Sequence, residues 1–409
     1  MSDKHVHIRK VDFQDIVSSL PPVTPWTESI NTKVDIFIVA LGFEDRAPAI
    51  AKSIAQNLVG TTIERSALGL ICCYKTNKQD NERNRSIIST ALASFCNKQL
   101  DIDADSPQEI ENFLGEQIED LYEKQSKVEI VFDISAASGN LILSLMHTMT
   151  RYRDKVSLTI LYAEPESYYP KQEEYDINPE ALVLRACDSG NIDSLHEYGV
   201  NDVQINELYP GADTESRPEF IIAIPALRSN RLMRCLQHLT DQPLSAPEQY
   251  VYWILGEPPE SSLKWRQEFQ KRLVKNMMST MVGFNVTDPL APQLKKENHA
   301  VCSTRDYREI LKTVIDLADE KLGYNLSLVH MGSKLQAIGI SLALSVRNEI
   351  AVCFASPSQF NPARYSNGIG TMWQIDMKNI EQIVTDLQKV GQLLFISKIE
   401  TERSGLPVL

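Results

Sequence analysis

Residues Val128–Met149 read VEIVFDISAASGNLILSLMHTM and are followed at Val156–Pro170 by VSLTILYAEPESYYP. An apolar run, a turn of small polar residues, an apolar helix and a second apolar run together describe a strand–turn–helix–strand unit whose strands are covered on both faces. The pattern returns at Leu326–Leu344, LSLVHMGSKLQAIGISLAL, followed at Ile350–Pro362 by IAVCFASPSQFNP. Both copies end in Pro-x-x-aromatic-x-Pro, at Pro165, Tyr168 and Pro170 and at Pro357, Phe360 and Pro362. The spacing from Asn140 to Pro165 nearly equals that from Lys334 to Pro357. A helix of matched length followed by the same proline–aromatic pattern points to duplication of one folding unit.

Working outward, Val34–Leu41 (VDIFIVAL) is a nearly unbroken β-branched strand, and Gly42–Pro48 turns it into a helix through about Leu58, with Pro48 in the first turn. A strand near Leu68–Tyr74, a polar loop Lys75–Arg85, a helix Ser86–Cys96 and an acidic helix Ser106–Lys124 lead into the first copy. Tyr209–Pro218 has the Pro, Gly and acidic content of a linker. The alternation then restarts with a strand Phe220–Ile224, a loop Pro225–Asn230, a helix Arg231–Leu239, a strand Tyr250–Leu255 and a basic amphipathic helix through Met278. Alternating strands and helices imply parallel sheets sandwiched by helices. The expected fold is therefore α/β: two tandem Rossmann-like domains with mainly parallel sheets, residues 1–212 and 213–409, related by a pseudo-two-fold axis. Strand ends from both halves should face one shared cleft, bordered by Gly139 and Gly332.

The 409 residues exceed one domain of about 100–200 residues, and 43% apolar with 23% charged residues is ordinary globular composition. With 41 basic against 54 acidic side chains the net charge is −13, which argues against DNA binding by bulk electrostatics. Apolar runs such as Val34–Leu41 fall far short of the roughly 20 residues a membrane span needs. Met1–Lys10 lacks the apolar region of a secretory signal, so a cytoplasmic protein is expected. Seven dispersed cysteines without a C-x-x-C pair read as reduced, mostly buried thiols, and seven dispersed histidines give no ligand spacing. Neither a structural metal nor a cofactor is expected.

The turns Ser135–Asn140 and Gly332–Lys334 each follow a strand and open a helix, placing backbone N–H groups at a positive helix end. Ser138, Gly139, Asn140, Gly332 and Ser333 are small or polar enough for an anion to approach, and Lys334 adds a point charge. The competing reading is a tight turn that needs Ser and Gly only for its geometry. Glu44 and Arg46 lie just past the first strand, where parallel sheets place ligands, and Arg228 and Arg231 hold the corresponding loop of the second half. A solvated loop with its own ion pair is the alternative there. No G-x-G-x-x-G follows that first strand, which argues against a dinucleotide cofactor. Glu164 and Glu166 flank Pro165, but their spacing favours solvated carboxylates over an acid–base pair. Arg364 and Tyr365 precede Gly368-Ile369-Gly370 and Trp373, a set suited to a stacked base or, equally, to a glycine turn entering a core strand.

The repeated unit, with His330-Met331-Gly332-Ser333-Lys334 in one copy and Ser135–Asn140 in the other, resembles the ligand-binding half of CARF domains, and the single-chain pair resembles the SAVED arrangement. The first turn departs from the family pattern at the lysine. The resemblance implies recognition of a nucleotide or cyclic oligonucleotide second messenger in prokaryotic antiviral defence, with any effector a separate protein. Two other functions stay open: a phosphodiesterase acting on such a nucleotide, and a non-catalytic assembly subunit of a defence complex.

Overall fold

Ile36–Leu41 is buried at every residue, and its side chains divide between two cores: Ile36, Ile38 and Ala40 face one, Phe37, Val39 and Leu41 the other. A strand covered on both faces reads as a continuous apolar run because neither side meets water. The computed structural model describes residues 13–27, 34–57, 67–187, 196–239 and 247–389. In it, this strand lies inside a seven-stranded sheet ordered Thr24–Pro25, Met372–Met377, Val156–Ala163, Val128–Asp133, Ile36–Leu41, Ala67–Cys73 and Cys96–Asp103. A six-stranded sheet is ordered His299–Ser303, Val251–Glu257, Glu219–Ile224, Asn325–His330, Ile350–Ser356 and Asp202–Ile205. Five strands of each sheet run parallel in the same relative order. The winding reverses beside Ile36–Leu41 in one sheet and beside Glu219–Ile224 in the other, the switch points at which open α/β sheets hold ligands. The expected α/β, doubled Rossmann-like architecture is what the chain adopts.

The sixth strand of each sheet comes from the other half. Met372–Met377 pairs antiparallel with Val156–Ala163, in register Trp373 with Tyr162, while Asp202–Ile205 pairs antiparallel with Ile350–Ser356, in register Gln204 with Phe354. Two short ladders repeat the exchange, Ser366–Asn367 on Ser167–Tyr168 and Gln359–Phe360 on Glu197–Tyr198. The chain thus crosses the expected 212/213 boundary in both directions. Nor is Tyr209–Pro218 a free linker: the Val352 N–H donates to the Tyr209 carbonyl at 3.0 Å, and Ala212 N–H to that of Glu349 at 3.2 Å.

The helices Gly139–Arg151 and Lys334–Leu344 pack against each other between the sheets. Every residue from Leu335 to Leu344 is buried, so this helix is covered on every face rather than amphipathic. One core runs from Ile36 and Ile38 through both helices to Ile222 and Ile224 of the second sheet, and two outer cores back the far faces.

Two local expectations are corrected. The helix read as Ser86–Cys96 spans Arg85–Leu92, and Cys96 opens the edge strand Cys96–Asp103, whose sequence CNKQLDID is polar because one long side of the strand is unpaired. The loop Lys75–Arg85 contains a helical turn, Lys78–Asn81. All seven cysteines are free, five of them buried. Among the described residues, no helix is long and apolar enough to cross a membrane.

Candidate functional site

Both helix-opening turns use their serines as caps. Ser138 Oγ accepts the Leu141 N–H at 3.1 Å, and the Ser138 N–H donates to the Tyr74 hydroxyl at 2.6 Å. Ser333 closes a full capping box: its Oγ accepts the Gln336 N–H at 3.1 Å while Gln336 Oε1 accepts the Ser333 N–H at 2.9 Å. Its hydroxyl also donates to the Thr304 carbonyl at 2.6 Å. The Gly332 N–H donates to His330 Nδ1 at 3.3 Å. Turn geometry therefore accounts for both serines.

The two turns meet across the interface between the halves. A Cβ on Gly139 would lie 3.0 Å from His330 Cδ2, so glycine permits this approach. Lys334 does not bend back on its own turn: its Nζ crosses to donate to the Ala137 carbonyl of the first turn at 2.6 Å. Asn140 accepts from the Asn206 side chain at 2.7 Å, which ties the first helix to the exchanged segment.

Beneath this crossing lies a group of buried charges. Arg46 holds Glu44 at 2.6 and 2.8 Å and also donates to the Tyr162 hydroxyl at 3.0 Å and the Ala163 carbonyl at 3.2 Å. The Ser366 hydroxyl donates to the same Glu44 oxygen at 2.6 Å. Burial works to raise the Glu44 carboxyl, but Arg46, Lys334 and Ser366 hold it below its ordinary value. Burial pushes Lys334 down to about 8, partly offset by Glu44. Asp133, wholly buried, receives the Ser135 N–H at 2.8 Å and the Ser135 hydroxyl on one oxygen, and its other oxygen has no hydrogen-bond partner among the described residues. Burial raises it to about 7.

Two adjoining cavities open here instead of one shared cleft. The first, of about 260 Å³, lies at the strand ends of the C-terminal half and is lined by Gly332, Ser333 and Lys334 together with Arg46, Tyr162 and Tyr168 of the N-terminal half. The second, of about 350 Å³, lies at the strand ends of the N-terminal half and is lined by Glu44, Ser138, Gly139 and Asn140 together with Arg231, Phe354 and Phe360 of the C-terminal half. Met331, Lys334 and Tyr365 border both. Gly139 and Gly332 thus border neighbouring cavities, and Arg46 and Arg231 cross over, each serving the opposite half. Arg228 is buried and lines neither of these cavities, nor does Arg364, which pairs with Glu174 at 2.7 Å. The stacking surface expected of Trp373 is taken: Arg305 lies 4.2 Å from its ring centre, and the indole N–H donates to Glu164 at 3.0 Å.

Sequence reasoning missed Arg266 and Arg305. Arg266 donates to the Tyr169 and Pro170 carbonyls, both at 3.1 Å, and lies 5.5 Å from the Tyr168 ring centre and 5.1 Å from that of Trp265, with no carboxylate partner among the described residues. Burial pushes it down to about 10, so it stays charged at neutral pH. Its amphipathic helix reads as solvent-facing, and the aromatic partners on the other half gave no local signal. Arg305 bridges Glu164 of one half, at 3.0 Å, and Glu260 of the other. His196 lines the first cavity, and burial pushes it down to about 4, which leaves it neutral. The arrangement can hold an anion between fixed guanidinium and ammonium groups while aromatic walls exclude water.

A scan against protein-family models finds no match, and a search of the curated proteins finds none either. Among solved structures, the chain is similar to a type III CRISPR defence DNA nuclease activated by cyclic oligoadenylate, with 9% identity over 80% of this chain and 68% of that one at a TM-score of 0.40. It also overlaps α,α-trehalose 6-phosphate synthase from Burkholderia multivorans, with 9% identity over 91% of this chain and 99% of that one at a TM-score of 0.19. Overlaps this loose transfer neither a fold nor an activity.

Proposed function

We propose that the protein is a receptor for a phosphate-bearing nucleotide, working as a cytoplasmic second-messenger-sensing or regulatory protein of prokaryotic antiviral defence, with any effector a separate partner. The observation that carries the reading is Arg266, a cation held by carbonyls and aromatic rings at the wall of a cavity that Arg46, Arg305 and Lys334 also line. A half-buried guanidinium held, among the described residues, by carbonyls and rings and by no carboxylate leaves its charge for an anion in the cavity to neutralise. The resemblance of the two turns to CARF domains supports a nucleotide as that anion. A local basic site of this kind works against the net charge of −13 and does not make a DNA-binding surface.

Calorimetry with a panel of cyclic and linear oligonucleotides tests this. Lys334→Ala and Arg266→Met should each weaken binding by about 1.5–3 kcal/mol, the worth of a charge-assisted hydrogen bond. If no panel member binds, or if both variants bind like the wild type, the reading fails. Product analysis after long incubation separates a receptor from a phosphodiesterase. Purification of a stoichiometric partner without bound nucleotide would favour an assembly subunit.

A further inference from the structure

The pseudo-two-fold axis allows the cavities to be compared position by position. Ala163 and Ala355 are equivalent: each precedes the repeated proline by two residues, and each offers its carbonyl to an arginine, Arg46 at 3.2 Å and Arg231 at 3.4 Å. One residue before them stand Tyr162 and Phe354, and at the aromatic position of the repeat stand Tyr168 and Phe360. The first cavity thus has two tyrosines, whose hydroxyls lie 2.8 Å apart and one of which meets Arg46, where the second has two phenylalanines. The third difference is one of charge. Glu257 is in register with Ser303, and Cys73 with Asp103. Two residues past those strand ends the first cavity has Arg305 and the second has Asp105. Asp105, in the cavity lining, accepts the Lys75 N–H on one oxygen at 2.9 Å, and its other oxygen accepts no hydrogen bond from the described residues. Phe360 packs edge-on against Tyr365 at 5.3 Å, which gives the second cavity a rigid aromatic wall.

We infer that the two cavities bind different parts of one nucleotide: the guanidinium-lined first cavity takes phosphate, and the phenylalanine-lined second cavity takes a base. Lys334, which borders both, lies where the two parts join. The inference rests on the proposed nucleotide reading and adds that the ligand is held in one orientation across the axis. A base stacks on aromatic faces whatever its identity, while a carboxylate accepts from an exocyclic amine. Asp105 should therefore favour bases that carry an amine over uracil.

The experiment uses the full chain, with pyrophosphate and the diphosphates of adenosine, guanosine, cytidine and uridine as probes at up to millimolar concentration. Arg266→Met should weaken pyrophosphate and all four nucleotides alike. Phe354→Ala and Phe360→Ala should weaken the nucleotides about tenfold each and leave pyrophosphate unchanged. Asp105→Asn should narrow the preference for amine-bearing bases. With two independent phenylalanine variants, loss of folding in one leaves the other to decide. Pyrophosphate binding as tightly as the nucleotides, or nucleotide affinity unmoved by either phenylalanine variant, overturns the base site while leaving a phosphate receptor intact. Absence of binding by every probe, pyrophosphate included, overturns the receptor reading and the base site with it.

Discussion

Two ion pairs, one buried and one partly exposed, occupy equivalent places about the pseudo-two-fold axis, Arg46 with Glu44 and Arg231 with Glu197, and they are built differently. Glu44 sits two residues before its arginine, whereas Glu197 is delivered by the exchanged segment and meets Arg231 at 2.7 and 3.0 Å. The first arginine is 2% exposed and the second 21%. Ser366 and Tyr162 complete the first pair, while the second has His196 at 3.9 Å from the Glu197 carboxylate. Backbone carbonyls keep the arginine positions alike; the surroundings of each charge have diverged. The two halves share the frame and differ in the chemistry it carries.

The largest test of that contrast is Glu44→Ala, which leaves the buried Arg46 guanidinium without its carboxylate and should cost about 3–5 kcal/mol in denaturant unfolding. Glu197→Ala should cost clearly less, because Arg231 reaches water. Equal losses would mean that the pairs are equivalent after all.

Asp133 sharpens the comparison through pH. Its folded value of about 7 lies above the ordinary 3.8, so between those limits the folded state binds more protons and stability falls as pH rises. Asp133→Asn removes that slope. Measured as a difference between the variant and the wild type, relative stability of the variant should grow from about pH 4 and level off above about pH 7. Taking the difference is necessary because His196 and His330, both pushed down to about 4 by burial, contribute a slope of opposite sign in the same range. A flat difference curve would show that Asp133 titrates normally.

Helix packing supplies a third contrast. Six residues past the caps stand Ser144 and Gly339, and a Cβ on Gly339 would fall 2.1 Å from the Tyr307 carbonyl oxygen. Gly339→Ala should destabilise by about 1–3 kcal/mol in thermal or denaturant melts, since two helices must part. Ser144, whose hydroxyl only donates to the Asn140 carbonyl of its own helix, should tolerate alanine to within about 1 kcal/mol. Effects at the caps are small too: Ser333→Ala should cost about 1 kcal/mol in the same melts and exceed Ser138→Ala because it also releases the Thr304 carbonyl.

How much of this was legible follows from how local each signal is. Ile36–Leu41 and Ile350–Ser356 announce themselves because burial on both faces keeps their interiors apolar. Cys96–Asp103 stayed hidden, since an edge strand carries the polarity of a loop. Met372–Met377 could be read as a core strand near Trp373, but its pairing with Val156–Ala163 spans most of the chain and leaves no periodicity to find. Of the candidate residues, Glu44, Arg46, Ser138, Gly139, Asn140, Arg231, Gly332, Ser333, Lys334 and Tyr365 border the two cavities, because strand ends concentrate there whatever the sequence. Arg266 escaped because its meaning depends on Tyr168 and Tyr169 of the other half.

The traded sixth strands also govern what a break in the chain would do. A cut between Ile205 and Glu219 would leave each piece carrying the strand that finishes the other's sheet, with an open edge in its own. Such an edge is an invitation to pair with any free strand. The pieces would be obligate partners, their stability set by concentration, and a severed gene would encode a heterodimer in place of two independent domains.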